Sequence, residues 1–288
     1  MKKFYLIANK GKQNTRRALK RIEEYLTLKG ASCLVSESEE MEEGRRAGNG
    51  FKYTDPAGIP GDTDCVITLG GDGTLIQAAR DLAGLNIPML GINLGTLGYL
   101  TQGSDGEIPE LLDALLEDRY VLERRLMLEG RMEGRDGTRF RDVALNELVV
   151  TRKDSMKVTK LSISVNGRFF SSYTANGVIL STPTGSTAYN LSAGGPISAP
   201  NCRIMILTPI CSHTLNLRSI VLCGDDTVRI EIVDGEDGEQ AAVFDGDTAV
   251  DMSRGDVIEI SRSAVETTLV KLNDISFMDN LRRKMAGI

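Results

Sequence analysis

The chain has 288 residues, enough for about two domains at roughly 100–200 residues each. Lys and Arg total 34 against 40 Asp and Glu, and this net charge of −6 argues against holding nucleic acid or anionic membrane by bulk charge. One His, His213, and five Cys with no C-x-x-C pair (Cys33, Cys65, Cys202, Cys211, Cys223) leave no His-pair metal site and no disulfide framework, as expected of reduced thiols in the cytoplasm.

Phe4 to Ala8 is a compact apolar run and reads as a buried strand. With only Met1-Lys2-Lys3 before it, the run is too short for a signal peptide, and no apolar run approaches the ~18 residues that span a bilayer. Asn14-Thr15 caps a helix with Ala18, Leu19, Ile22, Tyr25 and Leu26 at helical spacing, and Gly30 stops it. Ser32 to Val35 is a short strand. Residues 36 to 62 are acidic and unpatterned and read as a surface loop. Asp64 to Leu69 is a strand, Gly70 to Thr74 a glycine turn, Leu75 to Ala83 a helix and Ile87 to Ile92 a strand. This βαβ order predicts a parallel sheet.

A helix follows from about Gly106 to Leu116, with Ile108, Leu111, Leu112 and Leu115 on one face. From about Val121 to Leu272 the pattern changes to short alternating strands. Leu161 to Val165, the pair Asn166-Gly167, and Arg168-Phe169-Phe170 predict a hairpin. Val228 to Ile232 and Val257 to Ile260 are further strands, and Ile275 to Met285 is an amphipathic tail. The expected organisation is an α/β domain over 1–104, with the tail 273–288 packing back on it, and a β-rich domain over 105–272.

Three segments carry chemistry. Gly70-Gly71-Asp72-Gly73-Thr74 joins a strand to a helix, where glycines allow close ligand approach and the helix N-terminus suits phosphate. It lacks the Lys of a P-loop, and Ile76 occupies the last glycine position of the dinucleotide fingerprint. Its unusual member is the acid. Asp72 is either a helix cap, or a residue that accepts the proton of an attacking hydroxyl or helps to hold a metal. Asn146-Glu147 interrupts an apolar run, and both residues need partners if buried. A bulge or strand end is required for both to meet one ligand. Thr182 to Pro196 is rich in hydroxyls and glycines with one aromatic, Tyr189, and no Lys or Arg. It reads either as a capped glycine-rich loop or as a site for the neutral parts of a nucleotide. Tyr99, in the loop Leu94 to Leu100, either packs on a base or lies in interdomain core. His213 reads as structural.

Together these segments resemble the NAD kinase family. The resemblance rests on Gly70 to Thr74, Gly95 to Leu100, Asn146-Glu147, Thr182 to Pro196 and Thr208-Pro209-Ile210 with His213, in matching order over about residues 64 to 222. The glycine-Asp turn alone is shared with lipid kinases and phosphofructokinases; the Thr182 to Pro196 run is the most specific part. The resemblance implies an α/β domain like those of phosphofructokinases and lipid kinases, plus a β-rich domain that supplies much of the NAD site. It implies transfer of the terminal phosphoryl group of ATP to the 2′-hydroxyl of the adenosine ribose of NAD, giving NADP and ADP. Asp72 would be the general base, and Gly70, Gly71, Gly73 and Thr74 would shape the phosphate site. Asn146, Glu147, Thr187, Ala188, Tyr189, Asn190, Leu191 and Ser192 would bind NAD, and Lys157 and Asn176 fall where the family also places NAD contacts. Mg²⁺ is the expected charge neutraliser, and a homo-oligomer, dimer or tetramer, is implied. Inorganic polyphosphate would suit the same turn as ATP.

Three positions depart from the family pattern. Asn176-Gly177 stands where Asp-Gly is common, which leaves NAD against NADH preference open. Asp245-Gly246-Asp247 stands where Asp-Gly-Gln is usual, and Ser212 precedes His213 where Pro is usual. The competing readings are a lipid or sugar kinase of the same fold and a non-catalytic dinucleotide sensor.

Overall fold

The computed structural model describes residues 1–8, 13–36, 52–95, 98–153, 158–213, 216–234, 239–272 and 276–286. Two compact units form, Met1–Arg124 with Glu266–Ile288, and Arg125–Val265.

In the first unit, β1 (Lys3–Ala8) is followed by helix α1 (Gln13–Leu28) and β2 (Ser32–Val35). Strand β3 (Cys65–Gly70) runs into α2 (Asp72–Asp81), and β4 (Met89–Asn93) and α3 (Ile108–Leu116) follow. The strands pair in the order β2-β1-β3-β4, all parallel as the βαβ pattern predicts. Strands β1, β3 and β4 are almost wholly buried, which explains their unbroken apolar runs. Phe4, Leu6, Ile67, Leu69, Leu90 and Ile92 share one core with Ala18, Ile22 and Leu26 of α1.

The first unit extends further than expected. Helix α3 belongs to it, not to the β-rich part, because Ile108, Leu112 and Leu115 enter the same core. The last residues of the long strand Val257–Lys271 also belong here, with Leu269 beside Met89 in parallel and Val270 in the core.

The second unit is antiparallel. Strand β5 (Val121–Glu133) enters it and pairs with β6 (Arg139–Ala144). Then come β7 (Glu147–Arg152), β8 (Thr159–Val165), β9 (Arg168–Ala175) and β10 (Gly177–Ser181). A short helix, α4 (Tyr189–Ser192), precedes β11 (Ile204–Ile210), β12 (Ile220–Cys223), β13 (Val228–Asp234), β14 (Gln240–Phe244), β15 (Thr248–Met252) and β16 (Val257–Lys271). One sheet has the order β12-β11-β10-β7-β14-β15. Within the same unit, β13 pairs with both β8 and β16. The β8–β9 hairpin turns at Asn166 and Gly167, both with positive φ (50° and 73°), as the Asn-Gly pair demands. Leu148, Val150, Leu180, Leu207, Ile230, Phe244 and Ile258 meet in the core of this unit.

The tail forms α5 (Phe277–Met285), started by a Ser276–Asp279 capping box and grouped with the first unit. No helix among the described residues is long and apolar enough to cross a membrane.

Part of the expected surface loop 36–62 is tied down. Residues 37–51 lie outside the described residues. The N–H groups of Lys52, Tyr53 and Thr54 donate to the buried Asp81 carboxylate at 2.8, 2.7 and 2.9 Å, and Thr54 is itself buried. Charge-assisted bonds of this kind are the strong ones. Asp81→Ala is expected to lower the free energy of unfolding by about 2–4 kcal/mol. Urea denaturation measures it, and a loss below the error of the fit would show that these bonds hold nothing.

Candidate functional site

In the first unit the glycine turn joins β3 to α2. The helix begins at Asp72, three residues before the predicted start, with Gly71 as its N-cap and no side chain bonded to the cap. None of the three glycines has positive φ. Gly70 is required by packing, since a Cβ there would lie 2.4 Å from Thr74 Oγ1. Gly71 and Gly73 are different: an added Cβ would meet nothing within 4 Å. Their missing side chains leave the uncapped first turn of the helix open, the arrangement that suits a phosphate.

Asp72 does not cap its own helix. Its carboxylate reaches the loop after β4 and accepts the N–H groups of Tyr99 (2.7 Å, to Oδ2), Leu100 (3.1 Å) and Thr101 (3.0 Å), the last two to Oδ1. Thr101 Oγ1 also donates to Oδ1 at 3.1 Å. Gly98 permits this approach, because a Cβ there would fall 1.9 Å from Asp72 Oδ1. Oδ1 thus has three donors and Oδ2 one. Asn93 shapes the same loop: it donates to the Gly95 carbonyl and accepts the Gly95 N–H at 2.9 and 3.0 Å. Tyr99 is half-buried, burial raises its phenol pKa, and the Lys284 ammonium of α5 stands 5.6 Å from its ring centroid.

In the second unit Asn146 and Glu147 occupy the junction of β6 and β7, the strand end their adjacency required. The neighbouring backbone is held by Asp245, from the β14–β15 turn. Its carboxylate accepts the N–H groups of Leu145, Asn146 and Glu147 at 2.7, 2.8 and 3.0 Å. Asp245 has positive φ (50°), and its own N–H donates to the Glu147 carbonyl. The sequence marked Asp245 only as part of a family departure; a clasp across a hundred residues has no local signature.

The side chains remain demanding. Asn146 Oδ1, Glu147 Oε2 and Thr184 Oγ1 are buried with no hydrogen-bond partner among the described residues. Burial, and then the charge of Asp245, push the Glu147 carboxyl up to about 8, while the Tyr189 N–H opposes this by donating to it. Glu147 is therefore mostly a neutral acid near pH 7, able to donate one hydrogen bond.

The Thr182 to Pro196 run wraps this junction. Thr182 N–H donates to the Asn146 carbonyl and Thr182 Oγ1 to that of Leu145, at 2.8 and 2.7 Å. Gly185 packs directly on Asn146, whose carbonyl oxygen would lie 2.2 Å from an added Cβ. Several of the hydroxyls serve the fold. Ser186 Oγ donates to Pro183 and accepts from Ser198 N–H. Asn190 is fully buried, donating to the Ser186 and Pro196 carbonyls and accepting from Thr208 Oγ1. Its side chain therefore holds the loop, and Thr187, Ala188, Tyr189, Leu191 and Ser192 form its more accessible side. Asn176 is anchored by its backbone, while its side-chain amide makes no hydrogen bond among the described residues. Lys157 lies outside the described residues. His213 is exposed, with its backbone N–H bonded to the Thr174 carbonyl.

A parallel sheet that feeds an open helix N-terminus, in a chain that also carries a β-rich unit holding unpaired buried polar groups, defines an α/β protein equipped for phosphate and other polar ligands. Comparison with known proteins agrees. The family model for the ATP-NAD kinase N-terminal domain matches residues 4–120, and that for the ATP-NAD kinase C-terminal domain residues 145–272. An NAD kinase of Lachnospira eligens is 41% identical over 99% of this chain and 100% of its own length. One from Agathobacter rectalis is 42% identical, covering 100% of this chain and 99% of its own length. Among solved structures, yeast NADH kinase complexed with NADH superposes with a TM-score of 0.85 at 25% identity, over 100% of this chain and 88% of the other. An Archaeoglobus fulgidus NAD kinase in complex with ATP gives 0.76 at 25% identity, over 99% of each chain. The chain belongs to the NAD kinase family.

The raised Glu147 pKa makes stability depend on pH. Below about 4.5 the group is neutral in both states; above it the unfolded chain gains by ionising, and the folded chain follows only near 8. The contribution of Glu147 is thus full at low pH and is lost as pH rises from about 4.5 to 8. Glu147→Gln removes this limb, so its stability relative to the parent chain should rise across that window. Parallel pH profiles for the two proteins in urea denaturation would contradict it.

Proposed function

We propose that this chain is an NAD kinase that transfers the terminal phosphoryl group of ATP to the 2′-hydroxyl of the NAD adenosine ribose, yielding NADP and ADP. The observation that carries this reading is the set of buried, unpaired oxygens on Asn146, Glu147 and Thr184. Buried polar atoms cost free energy unless a partner satisfies them. A ribose diol and an adenine edge supply hydrogen-bonding groups of the right kind, and the Tyr189 ring, half out in solvent, offers a face for stacking. Thr187, Ala188, Leu191, Ser192, Asn176 and Lys157 complete the proposed NAD contacts, with Asn190 acting as support.

The glycine turn takes the phosphates of the donor. Gly71 and Gly73 present backbone N–H groups at the start of α2, while the Thr74 N–H donates to the Gly71 carbonyl and Gly70 lets the Thr74 side chain close on the turn. Asp72 accepts the ribose proton. The 2′-oxygen forms its bond to the γ-phosphorus, the bond to the β–γ bridging oxygen breaks, and ADP leaves. Of the Asp72 oxygens, Oδ2 is the one available for the proton, since Oδ1 already has three donors. The loop 99–101 fixes the carboxylate so that no rotamer search is needed at the moment of transfer. A loose transition state releases the proton late, so alignment outweighs basicity.

A divalent metal, Mg²⁺ by its preference for phosphate oxygens, would neutralise charge on the transferring group. Among the described residues no group of three or more His, Cys, Asp or Glu is placed to hold a metal. The donor set therefore suits a metal carried by the nucleotide and its waters more than a protein cage. Tyr99, whose N–H holds Asp72, would pack its half-buried ring on a base. A homo-oligomer and a cytoplasmic location belong to the same proposal, and inorganic polyphosphate is the alternative donor that would suit the same turn.

The test is incubation of the purified chain with ATP, Mg²⁺ and NAD and assay of NADP, repeated with NADH and with polyphosphate. NAD binding without product would make it a sensor. Asp72→Asn is expected to lower kcat by about 10²–10⁴ with NAD binding kept. Near-normal turnover in that variant would remove Asp72 as the base.

A further inference from the structure

The second unit has a groove of about 720 Å³ made of residues that take no part in the site above. The β5–β6 hairpin bounds it together with residues of β13 and β16. Five arginines line it, Arg131, Arg135, Arg139, Arg141 and Arg229, against the two acids Glu133 and Glu259. In a chain of net charge −6 this is a local reversal of sign.

Several of these arginines are held in place. Arg131 and Arg141 stand directly opposite each other on β5 and β6, a pairing of like charges that costs stability. Both are gathered by Glu129, whose side chain is only 4% exposed. Arg131 Nε donates to it at 2.5 Å and Arg141 Nε at 2.8 Å. One buried carboxylate thus orients two guanidiniums and balances one charge. The Arg135 stem lies over Gly255, where an added Cβ would come within 2.4 Å of Arg135 Cδ. Arg229 faces Glu259 across the β13–β16 pair but makes no ion pair among the described residues.

All five cations are arginines. The guanidinium fork grips two phosphate or carboxylate oxygens at once, which an ammonium does not. Phe140 and Val257 add apolar surface to the groove, and its volume falls in the range of small-molecule sites. We propose that this groove binds a small phosphate-bearing anion of nucleotide size, at a second site distinct from the Asn146–Tyr189 cluster.

Phenylglyoxal labelling of the full chain, read residue by residue by mass spectrometry, tests this with inorganic tripolyphosphate as the probe. Sodium chloride and sodium sulfate at equal ionic strength are the controls. Tripolyphosphate is expected to slow modification of Arg131, Arg141 and Arg229 by at least about tenfold, and Arg229→Gln to weaken the protection of the other two. Arg229 is an exposed strand position without an ion pair, so this variant avoids stranding the buried Glu129, as removal of Arg131 and Arg141 would. Equal labelling in tripolyphosphate and chloride overturns the proposal. So does equal protection by sulfate, which would mark an adventitious ion only. Protection without any probe that vanishes on dilution, with loss of a larger species in sedimentation, would instead assign the groove to contact between copies of the chain and also overturn it.

Discussion

Three aspartates in this chain each gather three consecutive backbone N–H groups. Asp81 holds residues 52–54, Asp72 holds 99–101, and Asp245 holds 145–147. Irregular backbone must place its N–H groups somewhere, and a carboxylate with about four acceptor positions can take a run of them. Each such bond carries charge and is stronger than a neutral one. The regular sheets and helices stand without these clasps. The segments that face ligand in the proposed reaction do not, because helix and ladder bonding end where those segments begin.

The second unit shows what the clasp achieves. Asp245 satisfies the peptide groups around Asn146 and Glu147, and Thr182 and Gly185 satisfy or crowd the carbonyls. The backbone is therefore complete, while the oxygens of the side chains are not. A site in which the main chain is settled and the side chains are wanting is preorganised: a ligand meets fixed groups and gives up little of its binding energy to ordering them. The buried Asn190 amide and Ser186 hydroxyl extend this rigidity through the loop.

Much of the fold was legible because it repeats. The period-two runs gave the strands, the Asn166-Gly167 pair gave its hairpin, and the βαβ order gave the parallel sheet. The start of α2 was misplaced because glycines depress helix propensity, and propensity does not see that Gly71 and Gly73 sit on the first turn with open space around them. The assignment of α3 failed because one amphipathic face can serve either of two cores. In the site, Asp72 and Asn146-Glu147 stood out as polar residues in apolar or glycine surroundings. Their partners did not, since Tyr99 to Thr101 lie 27 to 29 residues from Asp72 and contribute mainly backbone, with one hydroxyl from Thr101. An N–H group is the same in every residue, so sequence cannot say which ones a carboxylate will collect. The hydroxyls of residues 182–190 left two readings open, a capped loop or a ligand site, because composition does not show which hydroxyls close on the chain itself, as those of Thr182, Ser186 and Thr187 do.

The same clasps bear on the charge. A net charge of −6 suggests a chain hostile to anionic substrates, and an acid in a phosphate turn sharpens the difficulty. The formal count treats every carboxylate as a bare surface charge. Asp72 and Asp245 are instead faced by oriented N–H dipoles, which lower the potential they project even though the charge remains. Glu147 is mostly neutral near pH 7, because burial first, and then the charge of Asp245, push its carboxyl up to about 8. Asp72, Asp245 and Glu147 thus project less field than the formal count implies, and the open helix N-terminus of α2 adds a positive end of its own. Net charge constrains long-range attraction; whether a phosphate is held is decided by these few dipoles at close range, where they outweigh distant surface acids screened by salt.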